Sequence, residues 1–180
     1  MIPLGYMAKR IPNQRPEWLK VPTVFDIYSV SDCVNDNLVW FVPEWEHNGY
    51  WFFNSPEDIR IAATANGIDL QGVALFYYEA HELELDEAGW VPFASDALFE
   101  THVLPPGGKR LEGFDIVTCC DGPNSHSPLS CNSVAENVKT NEHCLFETRD
   151  EALTNLDNGC FAGCEPGPYR IYAVYSADWL

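Results

Sequence analysis

The sequence predicts an α+β fold: a single compact domain with about three helices packed on a mixed or antiparallel sheet, built in part from two related strand-helix-strand units. Three observations carry that expectation. The chain has 180 residues, enough for one well-filled core and too few for an elaborate multidomain enzyme. Hydrophobic residues make up 46% and aromatic residues 13% of it, well above what a disordered acidic segment contains. Short aromatic and β-branched runs alternate with segments carrying helix caps, the pattern of a sheet with helices laid on it.

Taken in order, the first twenty residues place Lys9, Arg10, Arg15 and Lys20 against the single acid Glu17, with prolines at 3, 12 and 16. They read as a basic, Pro-rich arm (1–20) ahead of an acidic domain (21–180). With those prolines and no apolar run, the segment does not read as a secretory leader. Residues 38–53 read as a hairpin about Asn48-Gly49, a dipeptide that tolerates a tight turn, with Pro43 restricted to an edge or bulge. A helix follows: Ser55 caps it, Pro56 suits its first position, Glu57 and Asp58 complement its positive end, and Gly67 stops it. Ile59, Ala62 and Ala63 form its buried stripe. Residues 73–85 read as one long strand or a bent pair, and the prolines at 92 and 105–106 mark loops. Beyond them come a strand (GFDIVTCC), a helix (SPLSCNSVAENV), a short strand (HCLF), a helix opened by a Thr148/Glu151 capping box and closed at Gly159, and a last strand (YRIYAVYS).

Segments 48–80 and 141–175 align with single-residue gaps. Phe53 meets Phe146, Ser55 meets Thr148, Asp58 meets Glu151, and Asn66-Gly67 meets Asn158-Gly159. Duplication of one unit and the convergence of capped helices between strands explain this equally well. The segments IYSVS, HNGYWFF, LFYYEA, GFDIV, SPLSCN, HCLF and EPGPYRIYAVY resemble those of a family of uncharacterised bacterial proteins. That resemblance implies a free-standing bacterial protein and brings no activity, ligand or site residue with it.

Charge bounds the function. Ten Lys and Arg against 27 Asp and Glu leave a net −17, which argues against direct nucleic-acid binding because counterion release needs clustered cations. No run approaches the length of a membrane span, and the seven cysteines form an odd set with no leader, so the expected location is cytoplasmic. From Glu79 to Glu87 the acids Glu79, Glu82, Glu84, Asp86 and Glu87 surround His81 with no Lys or Arg. If this is a strand, Glu82 and Glu84 face outward while Leu83 and Leu85 face inward. Such a row suits a basic protein partner, as in an immunity protein or a charge-mimic inhibitor; charge that blocks edge pairing is the competing reading.

The alternative class is a Cys/His-based enzyme, redox protein or zinc protein. Cys160 and Cys164 have zinc-like spacing, with Cys144 and His143 as further candidate ligands, but no second pair of comparable spacing accompanies them. Thiols packed as small hydrophobes, with no cofactor, are the favoured reading. Cys131 near a helix start, with His126 or His143 as base, is the candidate nucleophile; its spacing with Val134, Ala135 and Val138 instead marks a core stripe. PPGGKRLEG lacks the Ser/Thr and the earlier glycine of a phosphate loop, and a pair of carboxylates picked from so acidic a chain carries no catalytic signal.

Overall fold

In the computed structural model, all residues are described except 16, 18, 20, 31–35, 39–44, 122–123, 132 and 180, with backbone only at 36–37, 119–121, 124–125, 131 and 133. Among the described residues, eight strands form one sheet: β1 (Ile2–Arg10), β2 (Asp36–Asn37), β3 (Ala74–Ala80), β4 (Leu83–Asp86), β5 (Gly89–Pro92), β6 (Lys109–Asp121), β7 (Asn124–His126) and β8 (Tyr169–Ala177). Every pairing is antiparallel. The helices are α1 (Pro56–Ala65), α2 (Pro128–Cys131) and α3 (Arg149–Asp157), with a 3₁₀ segment at Ser133–Glu136.

Four strands make the centre, in the order β1-β3-β8-β6. Their register is symmetric. Gly5 of β1 lies opposite Tyr78 of β3, Gly113 of β6 lies opposite Val174 of β8, and Tyr78 and Val174 are themselves paired. Exchanging the outer and inner strands of the two halves therefore returns this central pair to itself.

Each half is closed by the same lock. In the first, the side chain of Asn48 donates to the Leu4 carbonyl (2.8 Å), and its Oδ1 accepts from the backbone N–H groups of Tyr50 (2.9 Å) and Phe52 (3.2 Å). In the second, Asn141 donates to the Glu112 carbonyl (2.7 Å) and accepts from His143 (2.9 Å) and Leu145 (3.1 Å). Leu4 and Glu112 are the extra residues at register shifts, each followed by a glycine of positive φ, Gly5 (130°) and Gly113 (148°). A short amide suits this place because it donates and accepts at once. The loops then bridge back to the sheet at Tyr6–Phe53 and Phe114–Phe146.

The helices follow from local chemistry. Ser55 accepts from the Asp58 N–H, and Thr148 with Glu151 forms a reciprocal capping box; each cap satisfies donors that the first helical turn leaves open. Ile59 and Ala63 of α1 are buried with Tyr6, Leu75 and Phe76 in one cluster, while Ala152 and Leu156 of α3 join Ile116, Phe146, Phe161 and Ile171 in another.

Several sequence expectations are corrected. Residues 2–10, expected in an arm, form the largely buried strand β1, paired between β2 and β3. Pro3 sits beside the register shift, where its missing N–H is tolerated. The described part of the expected 38–53 hairpin is not a second strand: Asn48–Trp51 is a turn, and Phe53 only bridges to Tyr6. Pro43 lies outside the described residues. Positive φ falls on Trp51 (65°) rather than on Gly49. HCLF is likewise a turn, with Cys144 at φ 61°, and SPLSCNSVAENV breaks into α2 and the 3₁₀ segment. Of the two forms expected for residues 73–85, the bent pair is the one observed, as β3 and β4.

The locks yield a test. A Cβ on Gly5 would stand 2.3 Å from the Phe53 carbonyl oxygen, and one on Gly113 would stand 2.7 Å from Leu145 Cβ and the Phe146 oxygen. Gly5→Ala and Gly113→Ala are each expected to lose at least about 2 kcal/mol in urea unfolding. Gly107→Ala, which meets open space, should stay within about 0.5 kcal/mol of the parent.

Candidate functional site

The acidic segment singled out in the sequence runs from β3 into the β4–β5 hairpin. Gly89 at φ 112° and the Asp86 side chain, which accepts from the Ala88 N–H (2.7 Å), make its turn. Two contacts orient the hairpin: Leu85 pairs with Tyr169 of β8, and the Trp90 indole donates to Asp157 at the end of α3 (3.2 Å).

The five acids divide into two groups. Glu79 is drawn inward, accepting from Lys109 (2.5 Å), Tyr175 (2.9 Å) and Tyr77 (3.3 Å). Burial opposes its ionisation, but these donors outweigh it and hold the carboxyl below its ordinary range. Lys109 also lies 4.0 Å over the Tyr175 ring. Glu84 is similarly engaged with Arg170 (2.6 Å), whose guanidinium lies 4.2 Å over Phe93. Glu82, Asp86 and Glu87 remain exposed, the Glu82 carboxylate meeting the terminal amino group of Met1 (3.3 Å). Leu83, expected inward beside Leu85, is 36% exposed. The bend at His81–Glu82, fixed by bonds to Ile171 and Phe93, interrupts the alternation that the sequence suggested.

Most of the described cations are bound within the molecule. Lys9 is fully buried, donating to the carbonyls of Ser29 and Val30. Arg15 donates to the carbonyls of Leu19, Val21 and Val24. Arg60 meets Glu57, and Arg110 meets Glu112.

A second constellation centres on His143, placed by the Asn141 turn. Its Nδ1 lies 2.5 Å from Asp26, and its Nε2 lies 3.6 Å from Glu112 and 3.7 Å from Glu142. Tyr28 stacks on the ring at 3.9 Å. Burial works against the imidazolium, but Asp26 and the other carboxylates outweigh it and raise the His143 pKa. The same strap, residues 24–30, is held by Asp115, which accepts from Val30 N–H (2.9 Å) and the Ser127 hydroxyl (2.6 Å). Burial lifts the Asp115 carboxyl to about 6 against the pull of those donors.

The cysteine candidates do not assemble. Cys144 is fully buried, its thiol directed at the Leu129 carbonyl (3.2 Å) and pushed up to about 12 by burial, so it is poorly suited to nucleophilic or ligand roles. His143 faces Asp26, not Cys160 or Cys164, and the proposed zinc set of these four is not formed. Among the described residues, no group of three or more His, Cys, Asp or Glu side chains could hold a metal ion. Cys131 lies in α2, with its side chain outside the described residues; Val134 and Ala135 beyond it are buried. His126 lies in β7 opposite Thr118.

Sequence reasoning missed Asp26, Tyr28, Glu112 and Asp115, because Asp26 and His143 are 117 residues apart and no local motif joins them. It also missed a cavity of about 440 Å³ between the 3₁₀ segment and the turn after α3, where Cys160 and Cys164 do meet, with Glu165 and Asn137. No helix among the described residues is long and apolar enough to cross a membrane. No family model, curated protein or solved structure matches the chain.

The pH dependence has a defined sign. Asp115 holds its proton more tightly in the folded state, so its contribution is full below about 4 and is lost as pH rises to about 6. The folded His143 titrates above its ordinary 6.5, so its contribution is full below about 6.5 and is lost as pH climbs through the folded value. Urea midpoints of the parent should fall across both windows. Asp115→Asn should flatten the lower window and His143→Gln the upper; slopes unchanged in both variants would contradict the assignment.

Proposed function

We propose that this protein binds and masks a basic protein surface, in the manner of an immunity protein or a charge-mimic inhibitor. The observation that carries the reading is how the charge is distributed. The cations Lys9, Arg15, Lys109, Arg110 and Arg170 are occupied by internal partners, whereas Glu82, Asp86 and Glu87 stand exposed on one hairpin. That hairpin is braced by Trp90 against Asp157, so the carboxylates sit on a fixed support. A negative field on a rigid element raises the encounter rate with a cationic partner and disfavours acidic ones. The half-buried Trp90 and exposed Leu83 add apolar surface beside the charge, the mixture that interfaces use.

The test uses a basic protein, hen lysozyme, as probe in titration calorimetry. Affinity is expected to fall at least about tenfold as salt rises from about 0.05 to 0.3 M, because screening shortens the reach of exposed charges. The triple variant Glu82→Gln/Asp86→Asn/Glu87→Gln should weaken binding more than Glu46→Gln/Glu100→Gln/Glu147→Gln, which removes the same charge from other exposed positions. Salt-independent binding, or equal loss in the two triples, would count against the proposal.

A further inference from the structure

The cavity beside α3 has features that the charge of the surface does not explain. Val134, Asn137 and Val138 form one wall, and Cys160, Gly163, Cys164 and Glu165 form the other. The second wall is fixed in place. Phe161 is buried against Phe146 and Tyr169, and the Tyr169 hydroxyl lies between the carbonyl oxygens of Phe161 (3.0 Å) and Glu165 (2.9 Å), its one proton available to either. Glu165 Oε2 is shut off from solvent and, among the described residues, accepts no hydrogen bond. A carboxylate oxygen held this way is costly unless a donor reaches it. The chain that carries Glu165 also packs against the acidic hairpin: a Cβ on Gly167 would lie 3.3 Å from the Leu85 carbonyl oxygen.

We infer that this cavity receives an arginine side chain of the basic partner, the Glu165 carboxylate turning toward the cavity to meet its guanidinium while Val134 and Val138 line its methylene stem. Resting on the functional reading above, the inference adds the anchor that the hairpin alone lacks. A guanidinium offers a planar fork of donors to a carboxylate and is more weakly hydrated than an ammonium. Its stem packs on apolar walls while its head is satisfied. About 440 Å³ is ample for one such chain. The hairpin carboxylates then act as a steering rim, and the cavity supplies a central, desolvated contact of the kind that dominates interface energy. Cys160 is exposed at this wall and serves as a reporter.

The experiment titrates the folded protein with N-acetyl-arginine amide, followed by amide NMR shifts and by the rate of Cys160 alkylation with iodoacetamide. The probe should shift Cys160, Gly163 and Cys164 and slow the alkylation, while the neutral isostere N-acetyl-citrulline amide should do neither. Glu165→Gln should weaken the probe about tenfold or more. Gly163→Leu, whose added atoms enter open space, should block the probe while leaving Glu165 in place. Unfolding midpoints identify a variant that fails to fold, and the other then decides. Equal binding of the citrulline compound, unchanged affinity in the folded variants, or shifts confined to other residues would overturn the inference. Lysozyme titrations of the same variants separate the two proposals. Binding that depends on the hairpin triple but not on Glu165 or Gly163 removes only the anchor, whereas no lysozyme binding alongside a filled cavity removes only the masking function.

Discussion

Two asparagines, Asn48 fully buried and Asn141 partly so, each holding a turn against a register shift in the sheet, are the constraint from which the remaining structure follows. Asn48 and Asn141 each satisfy one strand carbonyl and two turn N–H groups. Such groups would otherwise be buried without partners. The glycines at those shifts are required because turn atoms stand where a Cβ would be. Once the turns are placed, the bridges at Phe53 and Phe146 set the points from which Ser55 and Thr148 begin their helices. Symmetric register about Tyr78 and Val174 then brings the two halves into one sheet.

The halves share a scaffold and differ in what they carry. At the place where the first turn has Tyr50, packed on Phe93 at 5.3 Å, the second has His143 among carboxylates. Trp51 and Cys144 occupy matching left-handed positions, one half-buried and the other sealed in the core. The chemically distinctive features therefore gather around the second half: the imidazole, the strap over it, the acidic hairpin paired to β8, and the cavity after α3. Common architecture explains their placement, and the substituted side chains explain their chemistry. Pairing of Glu84 with Arg170 ties the hairpin to β8, and Glu79 is paired within the central sheet, leaving the outer acids to set the hairpin's field.

What the sequence disclosed was what short-range chemistry determines. Ser55 and Thr148 announce their helices because a cap needs only residues three positions away, and β8 was legible from its aromatic and β-branched run. The aligned segments even placed Asn48 opposite Asn141, although nothing local revealed that these amides reach across to Leu4 and Glu112. Strand β1 was obscured by Pro3, Gly5 and two cations, residues that discourage a strand reading until a register shift and a buried Lys9 give each a place. The carboxylate row failed where it relied on unbroken alternation through His81. Asp26, Asp115 and the cavity depend on contacts between distant parts of the chain, and periodicity carries no information about those.

Equilibrium unfolding of Asn48→Ala and Asn141→Ala, each against the parent, measures the locks most directly. Each substitution strips one acceptor of its donor and two donors of their acceptor inside the fold, so losses of about 3 kcal/mol or more, similar in the two variants, are predicted. Variants that unfold within about 0.5 kcal/mol of the parent would show that the turns hold without the amides and would contradict the account.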